Sequence, residues 1–346
     1  MWYPLVRRLL FQLEAEKSHD LSLRLLKLVS PHGLLRRRLA HFPQHPVKVL
    51  GLTFPNPVGL AAGFDKNGDY LEPLLGLGFG FIEAGTVTPK PQLGNPKPRL
   101  FRLPAVSGLV NRMGFNNRGV DYLVEKLRQR RLPGIVGVNI GKNLQTPLEN
   151  AVDDYCCCLR TVYSWADYIT VNISSPNTPG LRQLQSSAYL NNLLTGLDRT
   201  QLELLEQVQR KVPLLIKIDP DLNDAELAAL VETILHHRVD GLIATNTTLN
   251  HSYERGGLSG KPIFQRSTEV VQILSQLLAG KLPIIAVGGI FSAEDALAKL
   301  SAGASLVQIY TGLIYQGPNL VRNIISKFTG HSTQVKVIPS PPQEEG

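Results

Sequence analysis

From about residue 50 the chain switches repeatedly between short apolar runs and longer stretches with helical periodicity. The runs that read as strands are 58–62, 80–85, 135–140, 168–173, 214–219, 241–245, 283–287 and 306–310. Between them, 120–131, 188–212, 225–237, 267–278 and 293–300 repeat apolar residues every three or four positions, the spacing of a helix with one buried face. Eight strands alternating with helices predict a (β/α)8 TIM barrel, with a doubly wound sheet as the other arrangement of such units. About 280 residues suit the barrel, which commonly uses ~250.

Two helical patterns precede this body. Leu5, Val6, Leu9, Leu10 and Leu13 form one apolar stripe, with Arg7, Arg8, Gln12 and Glu14 between them. Leu21, Leu25, Leu28 and Val29 form a second, with Arg24 and Lys27 on the other face, and Ser30-Pro31-His32-Gly33 closes it. Such a pair either lies in a membrane interface or packs on the body with a solvated basic face. Charge sharpens the choice. The net charge is +8, and residues 1–48, with Arg36, Arg37 and Arg38 among nine basic residues against three acids, carry +6 of it. The body is +2, without a basic stripe or nucleic-acid motif, so nucleic acid is not an expected partner. The expected division is a helical extension over 1–48, a barrel over 49–330 and a disordered tail over 331–346.

Composition narrows the class further. Hydrophobic residues are 43% and charged residues 18%, enough for a large core. No apolar run approaches the ~18 residues of a spanning helix, and Arg7 and Arg8 break the only N-terminal stretch that could resemble a signal peptide. The three cysteines are consecutive, Cys156, Cys157 and Cys158. On a helix they diverge, so no zinc site, cluster or disulfide framework is expected, and a reducing cytoplasmic setting fits. His236 and His237 close a helix, where they complement its dipole or are simply exposed.

The candidate chemistry lies at the strand ends, where barrels carry their sites. Asn139, Asn172, Asn177 and Asn246 converge on one mouth and offer both donors and acceptors, which suits a planar heterocycle with alternating C=O and N–H groups. After strand seven comes Val287-Gly288-Gly289-Ile290, and after strand eight Tyr310-Thr311-Gly312. Barrels bind phosphate there through glycine amides and a helix N-terminus, so a phosphate-bearing cofactor such as FMN fits, although a Gly-Gly pair also makes a plain tight turn. Lys66 and Lys217 are costly to bury without a partner. They can clamp a substrate carboxylate, stand by the N1/C2 carbonyl of a reduced flavin, or form structural salt bridges.

Five stretches together resemble the dihydroorotate dehydrogenase family, specifically its class 2, quinone-dependent, membrane-associated branch. They are Gly59-Leu60-Ala61-Ala62-Gly63-Phe64-Asp65-Lys66, Gly85-Thr86-Val87-Thr88-Pro89, Asn111-Arg112-Met113-Gly114-Phe115-Asn116-Asn117, Asn172-Ile173-Ser174-Ser175-Pro176-Asn177-Thr178 and Gly257-Leu258-Ser259-Gly260. The resemblance runs over 3–328. It implies bound FMN and oxidation of (S)-dihydroorotate to orotate, with a membrane quinone as acceptor, in de novo pyrimidine synthesis. It implies Ser175 as catalytic base, where class 1 relatives have cysteine.

By the same resemblance Lys66, Asn111, Asn172, Asn177, Asn246 and Thr247 form the substrate set, with Arg112, Met113, Gly114 and Phe115 closing over it. Ala62, Gly63, Phe64, Asp65, Lys66 and Thr86 open the FMN set. Asn139, Asn172, Lys217, Thr245, Gly260, Gly289, Tyr310 and Thr311 complete it. His19, Arg102 and Tyr310 adjoin the quinone route. No metal is implied. The expected state is a monomer, peripheral on the cytoplasmic side of the cell membrane through the N-terminal helices. The segment 248–257 is shorter than in many members, and its conformation stays open. Other readings are an RNA-modifying FMN barrel of the tRNA-dihydrouridine synthase kind and a membrane-peripheral barrel without catalysis. The weak body charge and the intact Ser175, Lys66 and asparagine set speak against them.

Overall fold

A computed structural model describes residues 3–30, 34, 42 and 44–329. The strands among them are β1 (Val47–Val49), β2 (Leu52–Phe54), β3 (Val58–Leu60), β4 (Phe81–Val87), β5 (Leu100–Leu103), β6 (Gly108–Asn111), β7 (Ile135–Ile140), β8 (Tyr168–Asn172), β9 (Leu214–Ile218), β10 (Gly241–Ala244), β11 (Gly257–Gly260), β12 (Ile284–Val287) and β13 (Leu306–Ile309). Eight of them, β3, β4, β7, β8, β9, β10, β12 and β13, are parallel and close into a barrel in that order. Each matches an expected strand, with ends shifted by at most two residues and 135–140 unchanged. Nearly every position in them is buried, because helices cover the outside and side chains fill the inside. The expected tail over 331–346, the basic run 36–38 and the break after Ser30 lie outside the described residues, and the boundary expected after residue 48 falls within β1.

The outer helices follow their sequence periodicity. Ser187–Val208 buries Leu190, Leu193, Leu194 and Leu197. Asp224–Leu235 starts on a reciprocal cap, in which Asn223 Oδ1 accepts the Glu226 N–H at 3.0 Å and the Glu226 carboxylate accepts the Asn223 N–H at 2.8 Å. His236 is exposed, and His237 is half-buried with its Nδ1 2.7 Å from Asp198 Oδ2. Cys156 and Cys158 pack in the core and Cys157 faces solvent.

Large and small residues alternate inside the barrel. A Cβ on Gly137 would stand 2.0 Å from the Tyr168 ring and one on Gly59 2.3 Å from the Phe81 ring, so glycine at both lets these aromatics fill the lumen. The β1–β2 hairpin brings Phe54 under Phe81, with ring centroids 5.1 Å apart, and this closes the floor at the N-terminal ends of the strands.

Two features frame the opposite end. One is an antiparallel sheet, β5–β6–β11, in which Asn111 pairs with both Leu100 and Gly257. The other is the appendage, α1 (Tyr3–Leu10) and α2 (Ala15–Leu28). Tyr3 OH donates to the Ile314 carbonyl at 2.6 Å and Arg7 Nη1 to that of Tyr315 at 2.6 Å, which fastens α1 to the body. Glu14 caps α2 by accepting the N–H groups of Glu16 and Lys17. Leu23 of α2 is buried, but the stripes found in the sequence face outward. Leu5 is 69% exposed, Leu9 66% and Leu28 78%, and Leu13, Leu21, Leu25 and Val29 are exposed as well.

Candidate active site

At the C-terminal end of the barrel a cavity encloses about 1030 Å³, partly open to solvent. Its inner wall is a fully buried polar lattice. Glu83, in the middle of β4, accepts from Asn139 Nδ2 at 2.7 Å, Tyr168 OH at 3.1 Å and Gln308 Nε2 at 2.8 Å. Asn139 Oδ1 in turn accepts from Thr86 Oγ1 at 2.5 Å and from Asn172 Nδ2 at 3.1 Å. Asn139 therefore stands behind the wall and orients Thr86 and Asn172, which line the cavity. Sequence reasoning passed over Glu83 and Gln308. Their signal was present, since a lone carboxylate in an apolar strand requires partners.

The residues expected to hold substrate come together on this cavity. Asn177 Nδ2 donates to Asn111 Oδ1 at 3.0 Å, and Asn246 Nδ2 donates to Ser174 Oγ at 3.0 Å. Lys66, Met113, Gly114, Phe115, Asn172 and Thr247 also line the cavity. Lys66 Nζ donates to the Gly63 carbonyl at 2.8 Å, and burial pulls its pKa down to about 8, with Glu16 nearby opposing the shift. Arg112 contributes backbone only. Its guanidinium turns away, stacking on Phe101 and donating to the Pro98 carbonyl. Ser175 is buried at the cavity wall, and its Oγ accepts a long 3.4 Å contact from the Asn177 N–H. Three residues on, Thr178 Oγ1 is buried without a hydrogen-bond partner. The segment 248–257 is a loop closed at its base, where Thr248 and Leu258 exchange backbone hydrogen bonds, and within it His251 meets the Gly256 carbonyl.

The cavity also carries a glycine cradle. Gly288 and Gly289 have φ of 127° and 74°, and a Cβ on Gly289 would lie 2.5 Å from Phe264, at the N-terminus of helix Phe264–Leu278. Gly260, Tyr310 and Thr311 close this side. Lys217 is 5% exposed and lines the cavity, and among the described residues no side chain or carbonyl partners its ammonium. Gln308 Oε1 is also buried without a partner. The backbone of Gly288, Gly289, Thr311 and Gly312 on the lining, a buried cation and an orphaned acceptor fit a phosphate-bearing, electron-rich ring. Two expected members stand behind this surface. Asp65 caps the turn at Asp69 and Tyr70 through both N–H groups, and burial raises its pKa to about 6. Phe64 sits edge-on between His19 at 5.0 Å and Tyr310 at 5.3 Å.

That aromatic series connects α2 to the cavity, since Tyr310 lines it. His19 is buried, which pulls its pKa down to about 4, with the charge of Lys66 adding to the effect. Arg102 lies apart from the cavity lining. It stacks over Phe11 and its Nη1 donates to the carbonyls of Phe11 and Leu13, holding the turn between α1 and α2. No group of three or more metal-ligating side chains is gathered among the described residues.

The chain is matched over residues 45–330 by the family model described as dihydroorotate dehydrogenase. It is 56% identical to the "Dihydroorotate dehydrogenase (quinone)" of Coxiella burnetii strain Dugway 5J108-111, across 95% of this chain and 97% of that one. It is 53% identical to the protein of the same name from Acinetobacter baylyi, across 95% and 100%. A crystal structure of DHODH in complex with ferulenol from Eimeria tenella superposes with a TM-score of 0.82 at 40% identity, across 90% and 89% of the two chains. The barrel, the strand-end amides and these relatives converge, and the chain is an enzyme of the dihydroorotate dehydrogenase family.

Proposed function

We propose that this enzyme oxidises dihydroorotate to orotate through bound FMN and passes the electrons to a membrane quinone, in pyrimidine synthesis. The observation that carries the reading is one cavity lined at once by the amides of Asn111, Asn172, Asn177 and Asn246, by Ser175, by the buried Lys217 and by the glycine pair 288–289.

The roles follow from placement. Lys66 is a buried ammonium at the pocket and pairs with the substrate carboxylate, a charge-assisted contact of about 1.5–3 kcal/mol. Asn111, Asn172, Asn177 and Asn246 match the alternating donors and acceptors of the pyrimidine ring. Ser175 removes the C5 proton, and its partners leave the hydroxyl free to turn toward substrate. The amides of Gly288 and Gly289 and the backbone of Thr311 and Gly312, which line the same cavity, hold the phosphate. Lys217 holds positive charge beside the ring. FMN, when bound, supplies the two-electron acceptor for the C6 hydride and the route onward to quinone.

The outward apolar faces of α1 and α2 support membrane association. Leu5, Leu9, Leu13, Leu21, Leu25 and Leu28 present a contiguous kind of surface that soluble monomers keep small. Arg8, Arg24 and Lys27, exposed on the same helices, would add attraction to anionic lipid, at about 1 kcal/mol per residue near the surface. No helix among the described residues is long and apolar enough to cross a membrane. The proposed state is therefore a peripheral monomer on the cytoplasmic face, with quinone entering between the helices toward His19 and Tyr310.

The test is direct. Purified protein should be yellow, and dihydroorotate should bleach its flavin spectrum. Quinone should reoxidise it faster than fumarate or NAD. A protein that cannot be loaded with FMN, or that dihydroorotate does not reduce, overturns the reading.

A further inference from the structure

One ion pair joins the appendage to the back of the substrate pocket. Arg99, just before β5, is buried. Its Nε and Nη2 donate to the two carboxylate oxygens of Glu16 on α2, at 3.1 and 2.7 Å. Its Nη1 donates to the backbone carbonyls of Leu93 and Asn95 at 2.6 and 3.0 Å. Exposed Lys97 adds a 3.2 Å contact to Glu16.

Asn95 carries the connection onward. Its side-chain amide donates to the Arg112 carbonyl at 2.9 Å and to the Asn177 carbonyl at 3.2 Å. Its backbone N–H donates to the Met113 carbonyl at 3.0 Å, and the Arg112 N–H donates to the Arg99 carbonyl at 2.9 Å. The 93–99 segment thus runs along the back of 111–115 and reaches the loop that carries Ser175. A forked arginine–carboxylate pair is among the stronger polar contacts, and a buried guanidinium deprived of its carboxylate is left uncompensated. Without Glu16, Arg99 would turn toward water and release the Leu93 and Asn95 carbonyls.

We infer that Glu16, Arg99 and Asn95 are positioning residues through which the N-terminal helix holds the substrate loop. The inference rests on the proposed reading of 111–115 and 174–177 as the substrate loops. Asn95 acts through Arg112 and Asn177, and Glu16 acts through Arg99 and Asn95. The appendage is then part of the dihydroorotate half of the enzyme as well as its link to lipid. By reciprocity, orotate binding tightens the docking of α2.

The test uses full-length FMN-loaded enzyme and follows orotate binding by the change in flavin absorbance at pH 6.5. Asn95→Ala removes two hydrogen bonds to the loops and should weaken orotate about tenfold. Glu16→Gln, nearly isosteric and touching neither substrate nor flavin, should weaken it about three- to tenfold. KM for dihydroorotate should rise in both, while the limiting rate of flavin reduction and FMN content stay close to wild type; Tm should fall in Glu16→Gln, which leaves the buried Arg99 uncompensated. Glu16 also supports the charge on Lys66, so the double variant separates the two routes. If Glu16 acts through Asn95, Glu16→Gln adds nothing in the Asn95→Ala background, whereas an effect through Lys66 adds in full. Additive effects, or unchanged orotate affinity in either single variant, overturn the inference. If Asn95→Ala fails to fold, Asn95→Asp removes the donor and keeps the shape. Wild-type enzyme that does not bind orotate overturns the functional reading instead.

Discussion

Asn177 donates its side-chain N–H to Asn111 Oδ1 across 3.0 Å, which ties the loop after β8 to the end of β6. The two amides come from different sheets and meet at the rim of one cavity. Asn111 Nδ2 also donates to the Gly257 carbonyl at 3.3 Å, so Asn111 is oriented from its own sheet and in turn fixes which end of the Asn177 amide faces it. Replacing either by alanine should weaken orotate by about one decade, and the double variant should fall well short of the sum, because loss of Asn111 already frees Asn177. Equilibrium titration of the four proteins reads the coupling, and strict additivity would mean that the two bind substrate independently.

Ser175→Ala should slow dihydroorotate-driven flavin reduction by roughly 10²–10⁴-fold, the usual effect of losing a positioned base. Orotate affinity should change little, since the amides remain. Stopped-flow traces at the wild-type rate would remove Ser175 from the role and leave it a turn residue before Pro176.

The lowered pKa of Lys66, about 8, sets a pH dependence. Pairing with the orotate carboxylate needs the protonated amine. Affinity should hold below pH 8 and weaken as pH rises through it. Lys66→Ala should lose one to two decades at neutral pH, consistent with a charge-assisted contact, and should flatten the profile. A profile that persists in the variant assigns the titration elsewhere.

Docking of α2 should weaken in acid. Burial, aided by Lys66, depresses His19 from 6.5 to about 4. The unfolded chain takes up that proton first, so stability declines as pH falls below 6.5, until about pH 4. For Glu16, burial would raise the pKa, but Arg99 and Lys97 together hold it below 4.5. Its contribution is present above 4.5 and disappears as pH drops through the folded value. Amide protection factors in α2 should therefore fall from pH 7 to 4.5, ahead of those in the barrel strands. His19→Gln should shift that onset to lower pH.

Gly289→Ala places a methyl 2.5 Å from Phe264 at a φ of 74°. Either the helix start moves or the turn opens, at a cost of about 1–3 kcal/mol. Flavin content of the purified variant should fall with its Tm. A fully loaded variant of normal stability would show that the cradle tolerates a side chain.

The barrel was legible because its strands are apolar throughout and its helices repeat at 3.6. The mouth asparagines were legible because four of them fall at strand ends. The β5–β6–β11 sheet was not, since its short strands follow a stretch rich in proline and glycine that reads as loop. Glu83 escaped because an apolar average over β4 hides a single acid. Arg102 was assigned by resemblance to the quinone route, whereas its guanidinium is occupied by two carbonyls of the α1–α2 turn. Periodicity revealed the stripes on α1 and α2 but not their direction, because a stripe looks the same whether it meets a core or faces away from one.

The aromatic floor under the barrel, Phe54 against Phe81 and Tyr168, makes the lumen a cul-de-sac. Two reactants that never meet must then share a single rim, so they are kept apart by angle around it and not by depth through it. One arc belongs to Asn111, Asn177 and Ser175, and another to Tyr310, Phe64 and His19. On the proposed membrane-associated reading, traffic in the second arc would enter from whatever the helices lie against, and the bilayer would be the doorway for one partner while the aqueous side serves the other.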